Sequence, residues 1–529
     1  MRRTAPPPPP AWRARSAQRA ARAATAALWA AALALAGCGG GGGSGAAPAA
    51  GGSSFDPVVY SAAANASLPD ASESAAVTHH TLSVNAQTLA YTATAGHLSA
   101  RDPLSGAAEA SLFYVAYTLD GAAAGTRPVT FFYNGGPGSA SVWLHLGSFG
   151  PRRLATGVPS TSGVTPFPLV DNADTLLGVS DLVFVDAVGT GFSEAIAPAT
   201  NQSYWGVDAD AAVFRDFIAR YAAVNGRTAS PLVVFGESYG TTRSAVLAHL
   251  LVTAGMPLKG VVLQSSVLDY NANCGLYTPP APVSCAGYVP TYGAAGAWYG
   301  LDMPKPADLP SYMVQMRNFT QASYAPAVQA YLSAGTPPAA SLVTQLAQST
   351  GLAAGYWQQR FNLDPDLYQY SLVSGTLIGR YDARMSAPAG SALASDGDPS
   401  STYITPSFSS AIVSYLANDL HYTTPSSYVM LSGAINTWNF THDGKALPDT
   451  VPDLAAALAL APKLQVLSLN GYHDLATPFH QTELDLQRLG TQPNVQTRLY
   501  SGGHMTYLDD TSRGLERADL AAFYAALAP

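Results

Sequence analysis

The chain has 529 residues and a formal charge of −8, with only 11% charged side chains beside 48% apolar ones. That length suits one large α/β domain or two packed units, and with 26 basic against 34 acidic residues and no Lys/Arg stripe, no nucleic-acid partner is expected. Three cysteines without a C-x-x-C pair exclude a disulfide-built scaffold and suggest neither a zinc module nor a thioredoxin-like site, so no metal site is expected.

At the N-terminus six arginines (Arg2, Arg3, Arg13, Arg15, Arg19 and Arg22) precede an apolar run over 23–36. This is the layout of a secretory signal, and the run is too short to span a bilayer. The run closes on Leu35-Ala36-Gly37-Cys38, which resembles the bacterial lipoprotein signal. The resemblance implies that Cys38 becomes the acylated N-terminus and that the protein is exported and held on the cell envelope, by the outer membrane and facing the periplasm. Loss of residues 1–37 removes six positive charges from a chain at −8 and leaves a distinctly acidic −14. The Gly/Ser-rich stretch that follows, to residue 54, reads as a flexible tether. In an oxidising compartment Cys274 and Cys285 are expected to pair across a short loop, worth at most ~3 kcal/mol in the chain-entropy model.

From 81 to 117 apolar and polar residues alternate between Gly and Pro breaks, which predicts antiparallel strands. The apolar runs 128–133, 182–185, 232–235, 261–263 and 464–469 suit the doubly buried strands of a mostly parallel sheet. Helical patterns over 211–224 and 242–254 alternate with them, which predicts an α/β fold with right-handed crossovers. Between 269 and 439 the chain turns Tyr-, Pro- and Ser-rich, with helical stretches at 325–334 and 339–347 and no strong buried strand, and reads as an insertion that caps the sheet.

The chemistry concentrates in five places. Gly236-Glu237-Ser238-Tyr239-Gly240 follows a buried strand and opens a helix, the context of a nucleophile elbow. A serine hydroxyl needs a histidine to take its proton and a carboxylate to hold that histidine. In this architecture they follow in the order Ser, Asp, His, and Asp474 and His504 each come just after a late strand, at 464–469 and 495–500. His473 adjoins Asp474 and reads as a loop residue or a neighbour of the site, while His145, His249 and His480 read as ordinary packed or surface residues. Asn134-Gly135-Gly136-Pro137-Gly138 runs from a buried strand into a turn whose glycines let amides approach an oxyanion.

Taken in order, the Asn134 to Ser139 segment, Asp186-Ala187-Val188-Gly189-Thr190-Gly191-Phe192-Ser193, the elbow, the Asp474 loop and Gly503-His504-Met505 resemble the serine carboxypeptidase family over roughly residue 81 to the C-terminus. The resemblance implies an α/β-hydrolase with a mostly parallel central sheet flanked by helices. It divides the chain into a signal (1–37), a tether (38–54), a core in two parts (55–268 and 440–529) and a cap (269–439). It implies Ser238 as nucleophile, His504 as base, Asp474 as its orienter, and the amides of Gly136 and Tyr239 as oxyanion donors. Asn134, Gly135 and Glu237 would hold the terminal carboxylate of a peptide substrate, with neither metal nor cofactor required. One departure stands out: the family usually carries a second glutamate where this chain has Ser148, in Ser148-Phe149-Gly150-Pro151. Without like-charge repulsion from a neighbouring carboxyl, Glu237 is expected to ionise more readily and to weaken selectivity for free acids. An esterase or acyltransferase is the alternative reading that this departure favours, and a non-catalytic binding protein is a third.

Overall fold

A computed structural model describes residues 54–84, 86–276 and 282–527. The signal, Cys38 and nearly all of the tether lie outside these residues. Ten strands form the central sheet: β1 (Ala75–Val84), β2 (Gln87–Arg101), β3 (Ala108–Leu119), β4 (Val129–Tyr133), β5 (Asp181–Val185), β6 (Glu194–Ala195), β7 (Leu232–Glu237), β8 (Leu258–Gln264), β9 (Gln465–Gly471) and β10 (Val495–Tyr500). Their spatial order is β10-β9-β8-β7-β4-β5-β3-β2-β1, with the short β6 on β3. From β10 to β5 every neighbouring pair is parallel, whereas β5-β3, β3-β2 and β2-β1 are antiparallel. Both the expected antiparallel lead-in and the expected parallel core are therefore present.

The parallel strands are buried on both faces, which is why they read as continuous apolar runs. Alternate residues enter opposite cores. Phe132, Val233, Phe235, Val262 and Leu467 pack on one face. Phe131, Val234, Val261, Leu263 and Val466 pack on the other. The first face takes the short α1 (Val142–Gly147), and the second is covered by α2 (Val207–Val224) and α3 (Tyr239–Thr253), which begin a little earlier than their patterns suggest; α3 starts immediately after the elbow serine.

The 269–439 region is mainly helical. It carries α4 (Val289–Trp298), α5 (Leu309–Phe319), α6 (Ala325–Ala334), α7 (Ala340–Thr350), α8 (Ala354–Gln359), α9 (Pro365–Ser371) and α10 (Pro399–Asn418), with only short strand pairs between them. Tyr292, Met316, Trp357 and Tyr368 form a separate apolar cluster that reaches back to Tyr472 and Phe479. Helices α11 (Val451–Leu460), α12 (Phe479–Gln487) and α13 (Asp510–Ala526) complete the C-terminal part. A disulfide joins Cys274 to Cys285 at the entrance to this region, as expected.

Candidate active site

The site is built where the parallel strands end. β7 terminates at Glu237, and Ser238 turns the chain into α3 with φ 58° and ψ −127°. A non-glycine residue in this region costs on the order of 1–3 kcal/mol and persists only where its surroundings enforce it. Here the Ser238 amide donates to the Gln264 carbonyl at 2.9 Å, and the Ser238 carbonyl accepts from the Thr241 amide at 2.8 Å. The flanking glycine is required: a Cβ at Gly236 would stand 2.1 Å from the Gly240 carbonyl oxygen.

Opposite the elbow, β4 runs into the Asn134 loop, and a Cβ at Gly135 would lie 2.4 Å from the Tyr239 amide nitrogen. That closeness brings the Gly136 and Tyr239 segments together, as an oxyanion pocket of two amides requires. Gly136 itself takes φ 102°.

Asp474 follows β9 and His504 follows β10. His504 Nδ1 lies 2.8 Å from Asp474 Oδ2 and both groups are buried. A carboxylate acceptor places the imidazole proton on Nδ1 and leaves Nε2 free to accept one. The other Asp474 oxygen accepts from the Ala476 and Thr477 amides at 2.8 and 3.0 Å. Burial alone would lower the basicity of His504, but the charge and hydrogen bond of Asp474 outweigh it and raise its pKa. Ser238 and His504 line one cavity of about 460 Å³ together with Asn134, Gly135, Gly136 and Glu237. A larger cavity of about 560 Å³ is bordered by residues between 303 and 349, Met303, Tyr312 and Phe319 among them, and shares no lining residue with the first.

Several contributors had no local signature. Thr477 Oγ1 stands 2.8 Å from Asp474 Oδ2, 3.1 Å from His504 Nδ1 and 2.9 Å from the Ser265 carbonyl. Ser265, also at positive φ (51°), donates its hydroxyl to the His504 carbonyl at 2.5 Å. Tyr381, from the cap region, stacks on the His504 ring at 4.9 Å between centroids, and its carbonyl accepts from the His504 amide at 2.5 Å. Fully buried Arg243 donates to the Asn134 carbonyl at 2.9 Å while paired with Asp210. His473 faces away: it is buried, bonds the Ser501 carbonyl at 2.7 Å, and burial lowers its pKa to about 4. His145 packs in the core on the Tyr117 hydroxyl, and His480 sits on Glu483.

Glu237 is buried, and Asn134 Nδ2 donates to its Oε1 at 2.8 Å. The readier ionisation of Glu237 expected beside Ser148 is not what the packing favours. Burial raises the Glu237 pKa to about 7 with no carboxyl at position 148, because its largest cause is desolvation and not a like charge. Ser148 is absent from the cavity wall, its hydroxyl being held on the Leu144 carbonyl at 2.6 Å. The second group on Glu237 is the hydroxyl of Tyr507, which donates to Oε2.

Strand order, strand direction and the strand-serine-helix turn define this protein as an α/β-hydrolase. Residues 84–286 match the model of the serine carboxypeptidase family. The pheromone-processing carboxypeptidase KEX1 of Cryptococcus gattii is 30% identical over 152 residues, 28% of this chain and 21% of that protein, so the chain spans about a fifth of that relative's length. Among solved structures, a proline iminopeptidase from Mycobacterium smegmatis aligns over 82% of this chain and 98% of its own at 14% identity and a TM-score of 0.36. The peroxisomal α/β-hydrolase Lpx1 from Saccharomyces cerevisiae aligns over 85% and 89% at 12% identity and a TM-score of 0.32.

Proposed function

We propose that the chain is a serine carboxypeptidase that cleaves C-terminal peptide bonds through an acyl-enzyme on Ser238. In this reading His504 Nε2 takes the serine proton as Oγ attacks the scissile carbonyl, and Asp474 stabilises the imidazolium so formed. The Gly136 and Tyr239 amides receive the oxyanion. His504 then protonates the leaving amine, and water releases the acyl group by the same sequence in reverse.

The observation that carries the choice of carboxypeptidase over esterase is Glu237. It is a buried carboxyl, its pKa raised to about 7 by burial, on the wall of the serine's own cavity beside Asn134. A protonated carboxyl donates a hydrogen bond to a carboxylate, and an ionised one repels it. The matched family segment, 84–286, includes both the Asn134 loop and the elbow.

The reading extends to place: acylation at Cys38 would tether the acidic mature chain to the envelope. Among the described residues no helix is long and apolar enough to cross a membrane.

Mass spectrometry of a mixed peptide pool tests the function. Loss of single residues from free C-termini, with amidated peptides spared, is the expected result. Ester hydrolysis without any peptide trimming would refute it.

A further inference from the structure

Glu237 receives two hydrogen bonds, one on each carboxyl oxygen, and both donors are locked. The Asn134 side chain cannot flip, because its Oδ1 accepts the Leu144 amide at 3.1 Å. Its Nδ2 therefore faces Glu237 Oε1, and the same amide also interacts with the Tyr507 hydroxyl.

Tyr507 sits behind Glu237, outside the cavity wall, in the short helical turn Thr506–Leu508 just past His504. Its ring is wedged against Gly147, where a Cβ would lie 3.0 Å from Tyr507 Cε2, and its carbonyl accepts from Arg513 at 3.2 Å. Its neighbour Thr506 is pinned by Gln264 at 2.9 Å and by Glu516. The phenol is therefore held in place to donate to Glu237 Oε2.

Among the described residues, no lysine or arginine lines the cavity. A substrate carboxylate entering beside Ser238 meets neutral donors, the His504 ring and Glu237 itself, so a proton at Glu237 favours its capture. Resting on the carboxypeptidase reading above, we propose that Tyr507 is a positioning residue that holds Glu237 for capture of a substrate's terminal carboxylate and sets the pH above which that capture is lost.

The physical balance is specific. Burial favours the neutral carboxyl, and hydrogen bonds donated to it favour the ionised one. The groups facing Glu237 are Asn134 and Tyr507 by hydrogen bond, His504, Asp474 and Glu516 by charge, and the Tyr381 phenol from the cap region. Of these, Tyr507 alone presents a hydroxyl to Oε2, so deleting that hydroxyl removes more support from the ionised form than from the neutral one. The proton stays on Glu237 to higher pH, and free acids remain bound where the parent releases them.

The test compares kcat and KM from pH 5 to 9 for a blocked dipeptide acid and for its methyl ester, in the parent and in Tyr507→Phe. The alkaline limb of kcat/KM for the acid is expected to move up by about one pH unit, carried by KM and not by kcat, with no matching movement for the ester. Site-specific 3-fluorotyrosine at 507, a stronger donor of nearly the same shape, is expected to move the limb the opposite way. It keeps the proposal open to refutation should the phenylalanine variant not fold.

A limb that stays put in either variant, while the parent still prefers the acid over the ester, overturns the role of Tyr507 and leaves the carboxypeptidase reading standing. A parent that turns over the ester without preference for the acid at any pH overturns both.

Discussion

Arg243 offers the sharpest test of how the site is held. Its guanidinium is completely buried and donates through Nε and Nη2 to the two Asp210 oxygens at 2.7 and 3.2 Å and through Nη1 to the Asn134 carbonyl at 2.9 Å. It also lies over the Phe214 ring at 4.4 Å from the centroid. With both partners essentially inaccessible, solvent screening is slight, and removing one partner strands the other charge at a cost of about 3–5 kcal/mol. Arg243→Met and Asp210→Leu should each incur that cost, a large fraction of the roughly 5–15 kcal/mol that holds a typical domain together.

The double variant should be far milder than the sum. It strands no charge, and what remains is mainly the unsatisfied Asn134 carbonyl, worth about 1–3 kcal/mol. A coupling of several kcal/mol between two residues in direct contact would follow. Urea unfolding of the four proteins with the disulfide intact measures it, and kcat on a peptide acid reports the loosened Asn134 loop in parallel. Single variants that each cost under about 1 kcal/mol, or that add without coupling, would refute the reasoning.

Ser238→Ala is expected to leave only about 10³–10⁴-fold acceleration over water. His504→Ala should be about as severe, and the double variant no slower than either, because the residues act as a unit; a kcat near the parent's in either single variant contradicts this. Burial raises Glu237, Asp302 and Asp485 to about 7 and Glu516 to about 8, while Asp453, by hydrogen bonding, raises His442 to about 9. All five bind protons more tightly folded than unfolded, so their stabilising contribution is complete below the ordinary values of 3.8, 4.5 and 6.5 and is lost as pH rises towards 9. Buried His145 and His473, lowered to about 3 and about 4, oppose this up to their ordinary value of 6.5, so the thermal midpoint should fall between about pH 6.5 and about pH 8.5, and a rise over that window counts against these assignments. Cys38→Ser is expected to abolish metabolic lipid labelling and to move the protein from membranes to a soluble fraction; labelling that persists excludes Cys38 as the acylated residue.

Patterns confined to a few neighbouring residues were legible in the amino-acid sequence. The buried strands showed as apolar runs because both faces of a parallel sheet are covered, and the elbow showed because its turn tolerates so few residues. Asp474 and His504 could be picked out because each comes directly after a strand. The Cys274 to Cys285 pairing was equally local.

Helix α10 was missed. Asp398 caps it and Pro399 opens it, but its Ser- and Thr-rich residues and the internal Pro406 obscure a helical period. Yet Ser401, Ile404, Thr405 and Ser409 from this helix line the cavity.

The second group on Glu237 was beyond reach for a different reason. Tyr507 lies 270 residues away in the chain, and Arg243 lies 109 residues from the carbonyl it supports. Such partners share no periodicity, and chain folding alone brings them together. Where burial, more than a neighbouring charge, sets the protonation of a carboxyl, as at Glu237, its environment exists only in the packed structure. The residues present at the turn decided the kind of chemistry, and tertiary packing decided how Glu237 is held and at what pH it carries its proton.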